Sequence, residues 1–260
     1  MDFLNPLAGF LVGLVVGFTG VGGGSLMTPL LVFAFGIAPT TAVGTDLLFA
    51  CATKTAGVAV HGARGSVDWL VLRRLCLGSL PAAAATLLLL YAFPVGKSLS
   101  SLIIPALGVA LVLTSVAMLL QQRLHRLGQH FRTTMPERFK GAQPALTVAA
   151  GAVLGFLVTL TSVGAGALGV VMLVYLYPFR LTPPKLVGTD IAHAVPLTLV
   201  AGLGHLGLGN VDFGLLGSLL LGSIPGIVIG SRLSTRLNHN YVRSAVALML
   251  IFVGGRILFA

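Results

Sequence analysis

The tetrapeptide Val43-Gly44-Thr45-Asp46 occurs twice in this chain, and its second copy is Val187-Gly188-Thr189-Asp190. The residues around it recur as well, in the pairs Thr19 and Thr161, Gly22 and Gly164, His61 and His205, Gly65 and Gly209, Asp68 and Asp212, Ser79 and Ser223, and Pro81 and Pro225. The chain is therefore a tandem duplication. Each copy carries an aspartate inside an apolar run, which makes these two aspartates the first candidates for function.

The composition predicts an all-α polytopic membrane protein. Of 260 residues, 56% are hydrophobic and only 8% are charged, which is too few to cover a water-exposed globule of this size. The net charge of +10 does not indicate nucleic-acid binding, because the basic residues lie mostly in short links between apolar segments. We expect membrane lipid and a small solute as partners, and no nucleic acid.

Ten apolar segments can be counted, five in each copy. A helix needs about 20 apolar residues to cross a bilayer. The first two segments of each copy, residues 7–18 and 25–35 and residues 146–160 and 167–177, are shorter than that and flank glycine-rich turns. Matched short segments of this kind are typical of broken or re-entrant helices that meet near the membrane midplane.

The basic residues predict the orientation. Cytoplasmic loops are enriched in Lys and Arg, which places the basic link at residues 121–144 inside. Five reversals per copy then make the two copies inverted relative to each other, with ten crossings, or six if the short pairs are re-entrant. We predict a first repeat at residues 1–120, a cytoplasmic linker at 121–144 and a second repeat at 145–260, in a multi-pass protein of the cell inner membrane.

Asp46 and Asp190 are candidates for substrate binding and for proton coupling. A carboxylate inside a membrane is costly, so it normally serves a transport pathway or has a dedicated partner. The alternative is structural: each carboxylate accepts backbone N–H bonds from the adjacent glycine turn and holds the broken helices. The two roles are compatible.

Lys54 lies on the same helical stripe as Asp46 and His61, at 100° per residue. Lys54 is expected either to attract an anionic substrate, or to pair with Asp46 or extend to the membrane surface. His61 and its repeat partner His205 lie near segment ends. Each alone is typical of an interfacial histidine without a role, and we keep both as proton-coupling candidates.

The glycine turns are the other candidate anion site. Helix N-termini present unpaired N–H groups and a positive dipole end to an anion, although small residues also serve simply to pack membrane helices closely. The candidate substrate-binding residues are Thr19, Gly22, Gly23, Gly24, Ser25, Thr45, Asp46, Lys54, Thr161, Ser162, Gly164, Gly166, Thr189 and Asp190. Asp68 and Asp212 are explained as helix N-caps beside interfacial aromatic residues.

No cofactor, metal or catalytic residue is predicted. Cys51 and Cys76 lack metal-site spacing, and the glycine turns lack the strand and the Gly-Lys-Ser/Thr of a phosphate loop. No Ser/His pair or His-x-x-x-His motif supports an intramembrane enzyme. We therefore do not expect an enzyme.

With these motifs and the matched segments LGSLP at 77–81 and LGSIP at 221–225, the chain resembles the sulfite exporter TauE/SafE family, also called the toluene sulfonate uptake permease family. The family pattern falls on residues 22–24, 44–46, 164–166 and 188–190, with Ala165 in place of the middle glycine. The resemblance implies an inner-membrane transporter of sulfite or organosulfonates, often an exporter. We expect a secondary transporter that works by alternating access; the alternative is a passive anion channel, or a permease for another small organic anion.

Overall fold

The structure is a computed structural model that describes residues 4–19, 24–62, 65–92, 97–233 and 239–259. Within these ranges it consists of ten helices and contains no strand, which confirms the all-α prediction. The helices are α1 (Leu4–Thr19), α2 (Gly24–Phe33), α3 (Pro39–Gly62), α4 (Trp69–Ala92), α5 (Lys97–Thr134), α6 (Pro136–Thr161), α7 (Ala167–Leu176), α8 (Pro183–Gly207), α9 (Phe213–Leu233) and α10 (His239–Phe259).

Five of the described helices contain stretches long and apolar enough to cross a membrane, as judged by length and composition. These stretches are Trp69–Ala92, Ile103–Thr134, Pro136–Thr161, Pro183–Gly207 and Phe213–Gly230. Large apolar side chains such as Leu77, Leu88 and Leu221 are exposed on the outer surface. An outer surface of this kind suits a hydrocarbon environment and not water.

One predicted short segment is wrong. Residues 146–160 were expected to be too short to span, but they form the end of α6, which is 26 residues long. The helix begins at Pro136, inside the basic link, so the helix starts well before the apolar run does. Most of the predicted linker is likewise helical, since α5 extends to Thr134 and only Met135 separates it from α6. By contrast α2 and α7 are short, with ten residues each.

The two copies pack on each other through reciprocal contacts. Helix α1 of the first copy packs against α9 of the second, and the matched pair is α6 of the second copy against α4 of the first. Matched glycines make these contacts close: a Cβ atom at Gly13 would overlap the carbonyl oxygen of Ser223, and one at Gly155 would overlap that of Ser79. The copies are therefore interlocked, while α3 and α8 pack together between them. The orientation of the copies relative to the bilayer stays a prediction.

Candidate functional site

A group of buried polar side chains lies where α3 packs against α8. Asp46 and Lys54 come from α3, and Asp190 and His193 come from α8. Their exposed fractions are 0%, 6%, 3% and 1%, respectively. The charge of Lys54 acts on both carboxylates and on the imidazole. We call these four residues the central polar cluster; it brings together Asp46, Lys54 and Asp190, three of the residues that the sequence analysis names as candidates.

Asp46 is held by a threonine that sequence reasoning missed. Thr28 Oγ1, on the short helix α2, donates a hydrogen bond of 2.5 Å to Asp46 Oδ2. Ser162 Oγ, from the turn between α6 and α7, faces the same carboxyl. Among the described residues neither Asp46 Oδ1 nor Ser162 Oγ has a hydrogen-bond partner. Asp46 thus has one oxygen with a donor and one without a described partner, and an unused hydroxyl faces its carboxyl.

Lys54 adopts neither of the two arrangements that are the alternatives to an anion-binding role. Its side chain is buried, so it does not extend to the membrane surface, and within the described ranges its amino group forms no ion pair with a carboxylate at contact distance. Instead Nζ donates a 2.8 Å hydrogen bond to the carbonyl oxygen of Ala165, in the turn between α6 and α7. The first copy therefore supplies a cation to the glycine turn of the second copy.

Asp190 has a different environment from its repeat partner. Its carboxyl packs directly against the first turn of α7, since a Cβ atom on Gly169 would overlap Asp190 Oδ1. No described side chain or backbone N–H donates a hydrogen bond to it. The charge of Lys54 acts on both Asp190 and Asp46. Because Asp190 has no described hydrogen-bond donor, Lys54 is the described group that stabilises its charge.

His193 is a second residue that the sequence analysis left without a role. Its Nε2 lies 2.8 Å from Ser79 Oγ, and both side chains are buried. Two sequence signals point to this pair: His193 follows Asp190 by three residues, which is nearly one helical turn, and Ser79 belongs to the recurring LGSLP segment. The pair joins α8 to α4 beside the central polar cluster.

The turn between α6 and α7 has the geometry of a helix tip. Ser162 has a left-handed φ of 59°, and Gly164 and Gly166 have φ of 117° and 122°. Helix α7 then starts at Ala167, and within the described chain no acceptor lies opposite the backbone N–H of Gly166 or Ala167. Free N–H groups and the positive end of a helix dipole therefore lie next to the turn whose Ala165 carbonyl accepts from Lys54.

Three candidate hydroxyls are engaged in the scaffold. Thr161 Oγ1 donates to the carbonyl oxygen of Leu157 at 2.6 Å and accepts from the N–H of Val163 at 3.1 Å. Thr45 Oγ1 accepts from the N–H of Asp212 at 3.1 Å, and Thr189 Oγ1 accepts from the N–H of Asp68 at 2.9 Å. The matched threonines thus join each copy to a loop of the other, and the structure does not bring their hydroxyls into the central polar cluster.

The loop aspartates differ from each other more than the sequence indicates. Each caps its helix: Asp68 Oδ1 accepts from the N–H of Val71 at 3.2 Å, and Asp212 Oδ1 accepts from that of Leu215 at 2.9 Å. Only Asp68, among the described residues, also forms an ion pair, with Arg180 at 2.7 Å and 3.0 Å.

The Asp68–Arg180 ion pair joins the α3–α4 loop to the α7–α8 loop and thus links the two copies. Partial burial raises the pKa of Asp68, but the hydrogen bonds and charge of Arg180, together with the capped N–H, outweigh this effect and hold the pKa below its usual value. The hydrogen bond to Asp68 raises the pKa of Arg180. Both side chains are therefore charged at neutral pH.

His205 is not interfacial, contrary to expectation. It is 0% exposed, and its Nε2 lies 2.9 Å from the carbonyl oxygen of Thr159 on α6. The apolar run ends near His205, but α6 covers this end of α8. Gly24 begins α2. The remaining candidates, which are Gly22, Gly23 and the side chains of Thr19, Ser25 and His61, lie outside the described residues.

Comparisons with known proteins find one family model and several membrane transporter proteins that are similar to this chain. The family model described as "Sulfite exporter TauE/SafE" matches residues 6–257. "Probable membrane transporter protein YjnA" of Bacillus subtilis (strain 168) is 40% identical over 95% of this chain and 96% of its own length. "Probable membrane transporter protein YdhB" of the same organism is 25% identical over 96% and 97%, and a "Probable membrane transporter protein" of Xylella fastidiosa (strain Temecula1) is 25% identical over 89% and 84%. No solved structure matches the chain.

Proposed function

The chain belongs to the sulfite exporter TauE/SafE family of membrane transporters, and from this premise we propose that it is a secondary transporter that exports sulfite or an organosulfonate across the inner membrane. The observation that carries the proposal is Lys54, a buried cation held at the tip of α7. An ammonium group and free helix N-terminal N–H groups together are suited to a tetrahedral oxyanion.

Alternating access is supported by the burial of the central polar cluster. Its four side chains are at most 6% exposed, so a solute reaches them only if the surrounding helices move. The cluster contains residues of both copies, and Lys54 of the first copy contacts the α6–α7 turn of the second. Motion of one copy relative to the other would therefore open the site to one side at a time.

A passive anion channel is the competing function. A channel needs a continuous polar path, and its flux rises with substrate concentration without saturating at a slow conformational step. The closed cluster favours the transporter. A permease for another small organic anion would use the same cation and the same helix tip, so the choice of substrate has to be measured.

The test is flux in proteoliposomes that contain the purified protein. We expect saturable transport of sulfite or p-toluenesulfonate by the wild type, loss of transport in Lys54→Gln, and normal transport in Lys140→Gln. Lys140 is exposed, so this control removes the same charge away from the cluster. Flux that does not saturate would favour a channel, and absence of flux for both anions would reject the proposed substrates.

A further inference from the structure

We propose that each monovalent anion enters the central polar cluster together with one proton, that Asp190 receives this proton, and that the site therefore discriminates against dianions. The inference rests on the proposed function, because it concerns the anion site described above. It assigns a stoichiometry, a proton site and a charge selectivity. The argument begins with the charges that the structure buries together.

The empty cluster contains two carboxyl groups, one amino group and the imidazole of His193. If both carboxylates and Lys54 were charged and the imidazole were neutral, the cluster would carry one net negative charge. His205 lies outside the cluster and its Nδ1 faces the amide nitrogen of Asn210, a donor, while a charge on His193 would be repelled by the nearby cation, so neither imidazole is expected to add positive charge. A net charge sealed from water is costly. The empty cluster is therefore neutral when one of the two carboxyls holds a proton.

The same count of charges applies when a monovalent anion binds. The anion adds one negative charge, and neutrality then requires a proton on both carboxyls, with Lys54 left to balance the anion. The loaded cluster thus holds one more proton than the empty one. Because the anion and this proton occupy the closed site together, they cross the membrane in the same direction.

The environments of the two carboxyls indicate which one changes. Asp46 accepts from Thr28 Oγ1 on Oδ2, and its Oδ1 has no described partner; because a hydroxyl can also accept, the unpaired Ser162 Oγ, which faces the same carboxyl, can take a hydrogen bond from a proton on Asp46. Asp190 has no described hydrogen-bond donor and depends on Lys54. The resident proton therefore belongs to Asp46, and the ionised carboxylate of the empty state is Asp190.

Protonation of Asp190 has a direct consequence for Lys54. In the empty state the ammonium group balances the charge of Asp190; once an O–H bond forms on Asp190, the ammonium is free to balance the anion. Lys54 is the charged group that acts on Asp190, and the described parts of α4, α6 and α7, which also pack against α8, bring no charged side chain against it. On the opposite side the anion leaves, and Asp190 returns its proton to water.

Dianions, such as sulfate and fully ionised sulfite, do not fit this count, whereas the singly charged hydrogensulfite and sulfonates do. A dianion would require a second additional proton, but both carboxyls are already protonated when a monovalent anion is bound. One uncompensated negative charge would remain in the closed site. Methanesulfonate and sulfate provide a matched pair, because a methyl group replaces one oxygen with little change of shape. We expect sulfate flux to be at least about tenfold lower than methanesulfonate flux.

The first experiment measures stoichiometry with radiolabelled methanesulfonate in wild-type proteoliposomes. This anion does not titrate near neutral pH, so any proton movement belongs to the protein. One proton per anion carries no net charge; we expect flux to follow an imposed pH gradient and to be insensitive to an imposed potassium diffusion potential. Flux driven by the potential without proton movement would overturn the proposal, as would sulfate flux equal to that of methanesulfonate.

The second experiment assigns the proton through the pH profile of flux. In Asp46→Asn the titrating carboxyl is unchanged, so we expect the wild-type midpoint; in Asp190→Asn, Asp46 must take over, and we expect a shifted midpoint. The opposite pattern would overturn the assignment. Asp46→Asn/Asp190→Asn should be driven by the potential alone, and coupled flux in this variant would contradict the inference. If the double variant does not fold, the stoichiometry of the wild type and the pH profiles of the two single variants test the inference.

These outcomes separate the inference from the proposed function. If the wild-type protein transports none of methanesulfonate, sulfite and p-toluenesulfonate, the anion-transport proposal itself is refuted. A wild-type protein that transports methanesulfonate without protons leaves the transport function standing and removes only the coupling.

Discussion

The ion pair between Asp68 and Arg180 is expected to keep the side of the protein with the basic link closed. It joins loops of the two copies, and the α3–α4 loop of the first copy also contacts Gly188 and Thr189 of the second. Asp68→Asn retains an oxygen that can cap the N–H of Val71 but removes the charge on which the Arg180 contact depends. The variant therefore isolates the ion pair from the helix cap.

The magnitude follows from geometry and exposure. The contact is bidentate, which favours a strong pair, but the Arg180 side chain is 48% exposed, and solvent screens the charges. Exposed pairs contribute up to about 1 kcal/mol, and we assign about 0.5 to 1 kcal/mol to this pair. Loss of that energy raises the population open on this side about two- to fivefold.

Labelling of a cysteine beneath the ion pair measures this population. Ser66 is 7% exposed and lies in the same loop, so Ser66→Cys in a chain without Cys51 and Cys76 reports opening through its rate of reaction with a membrane-impermeant maleimide. The matched control is Asp212→Asn, which retains the equivalent cap and has no described cationic partner to lose. Equal labelling rates in Asp68→Asn and Asp212→Asn would refute the reasoning.

The pH dependence of the same assay has a defined sign. The pKa of Asp68 is lower in the folded protein than its ordinary value of 3.8, so the pair contributes stability above that value and loses it as the pH falls through the lower, folded-state pKa. We therefore expect no change in the contribution of this pair across the neutral range. A twofold effect of Asp68→Asn that vanishes at pH 6 would contradict this assignment.

Three further substitutions test the packing and the cluster, each by thermal unfolding of the purified protein in detergent. Gly155→Ala should lower the free energy of unfolding by about 1 to 3 kcal/mol, because the added Cβ would overlap a backbone carbonyl of α4. Its control is Gly217→Ala, whose Cβ would meet nothing within 4 Å and which should be neutral or slightly stabilising. Equal effects of the two substitutions would contradict the close contact. Thr28→Val should cost about 1 to 3 kcal/mol by leaving a buried carboxyl oxygen without its donor, and Thr55→Val, at an exposed site, much less. Lys54→Met should cost about 3 to 5 kcal/mol by leaving the buried Asp190 carboxylate without a cation, and an unchanged melting temperature would contradict the cluster.

The sequence predicts the features that recur or follow helical periodicity. The repeat predicts matched segments, and the stripe on α3 predicts that Asp46 and Lys54 share a buried side. The sequence does not predict that Thr28 contacts Asp46. The second copy has Val170 at the position that matches Thr28, so the repeat gives no signal there, and helical periodicity does not tell which helices meet. The Asp68–Arg180 pair was missed for the same reason, since its members are 112 residues apart.

Hydropathy also misplaced two features along the helix axis. It began α6 too late, at residue 146, because the helix already starts at Pro136 among polar residues of the basic link. Hydropathy placed His205 at the membrane surface because His205 lies near the end of an apolar run. The hydropathy pattern does not show that a neighbouring helix, α6, covers this position. Both errors are corrected only by knowledge of the packing between the two copies.

The interlocked packing constrains the order in which the protein can mature. Helix α1 is synthesised long before α9, yet the groove that accepts Gly9 and Gly13 is formed by Leu219 and Ser223 of α9. The glycine surface of α1 must therefore remain unmatched in the bilayer until α9 has been made. Separately expressed halves should be degraded alone and persist when they are produced in the same cell.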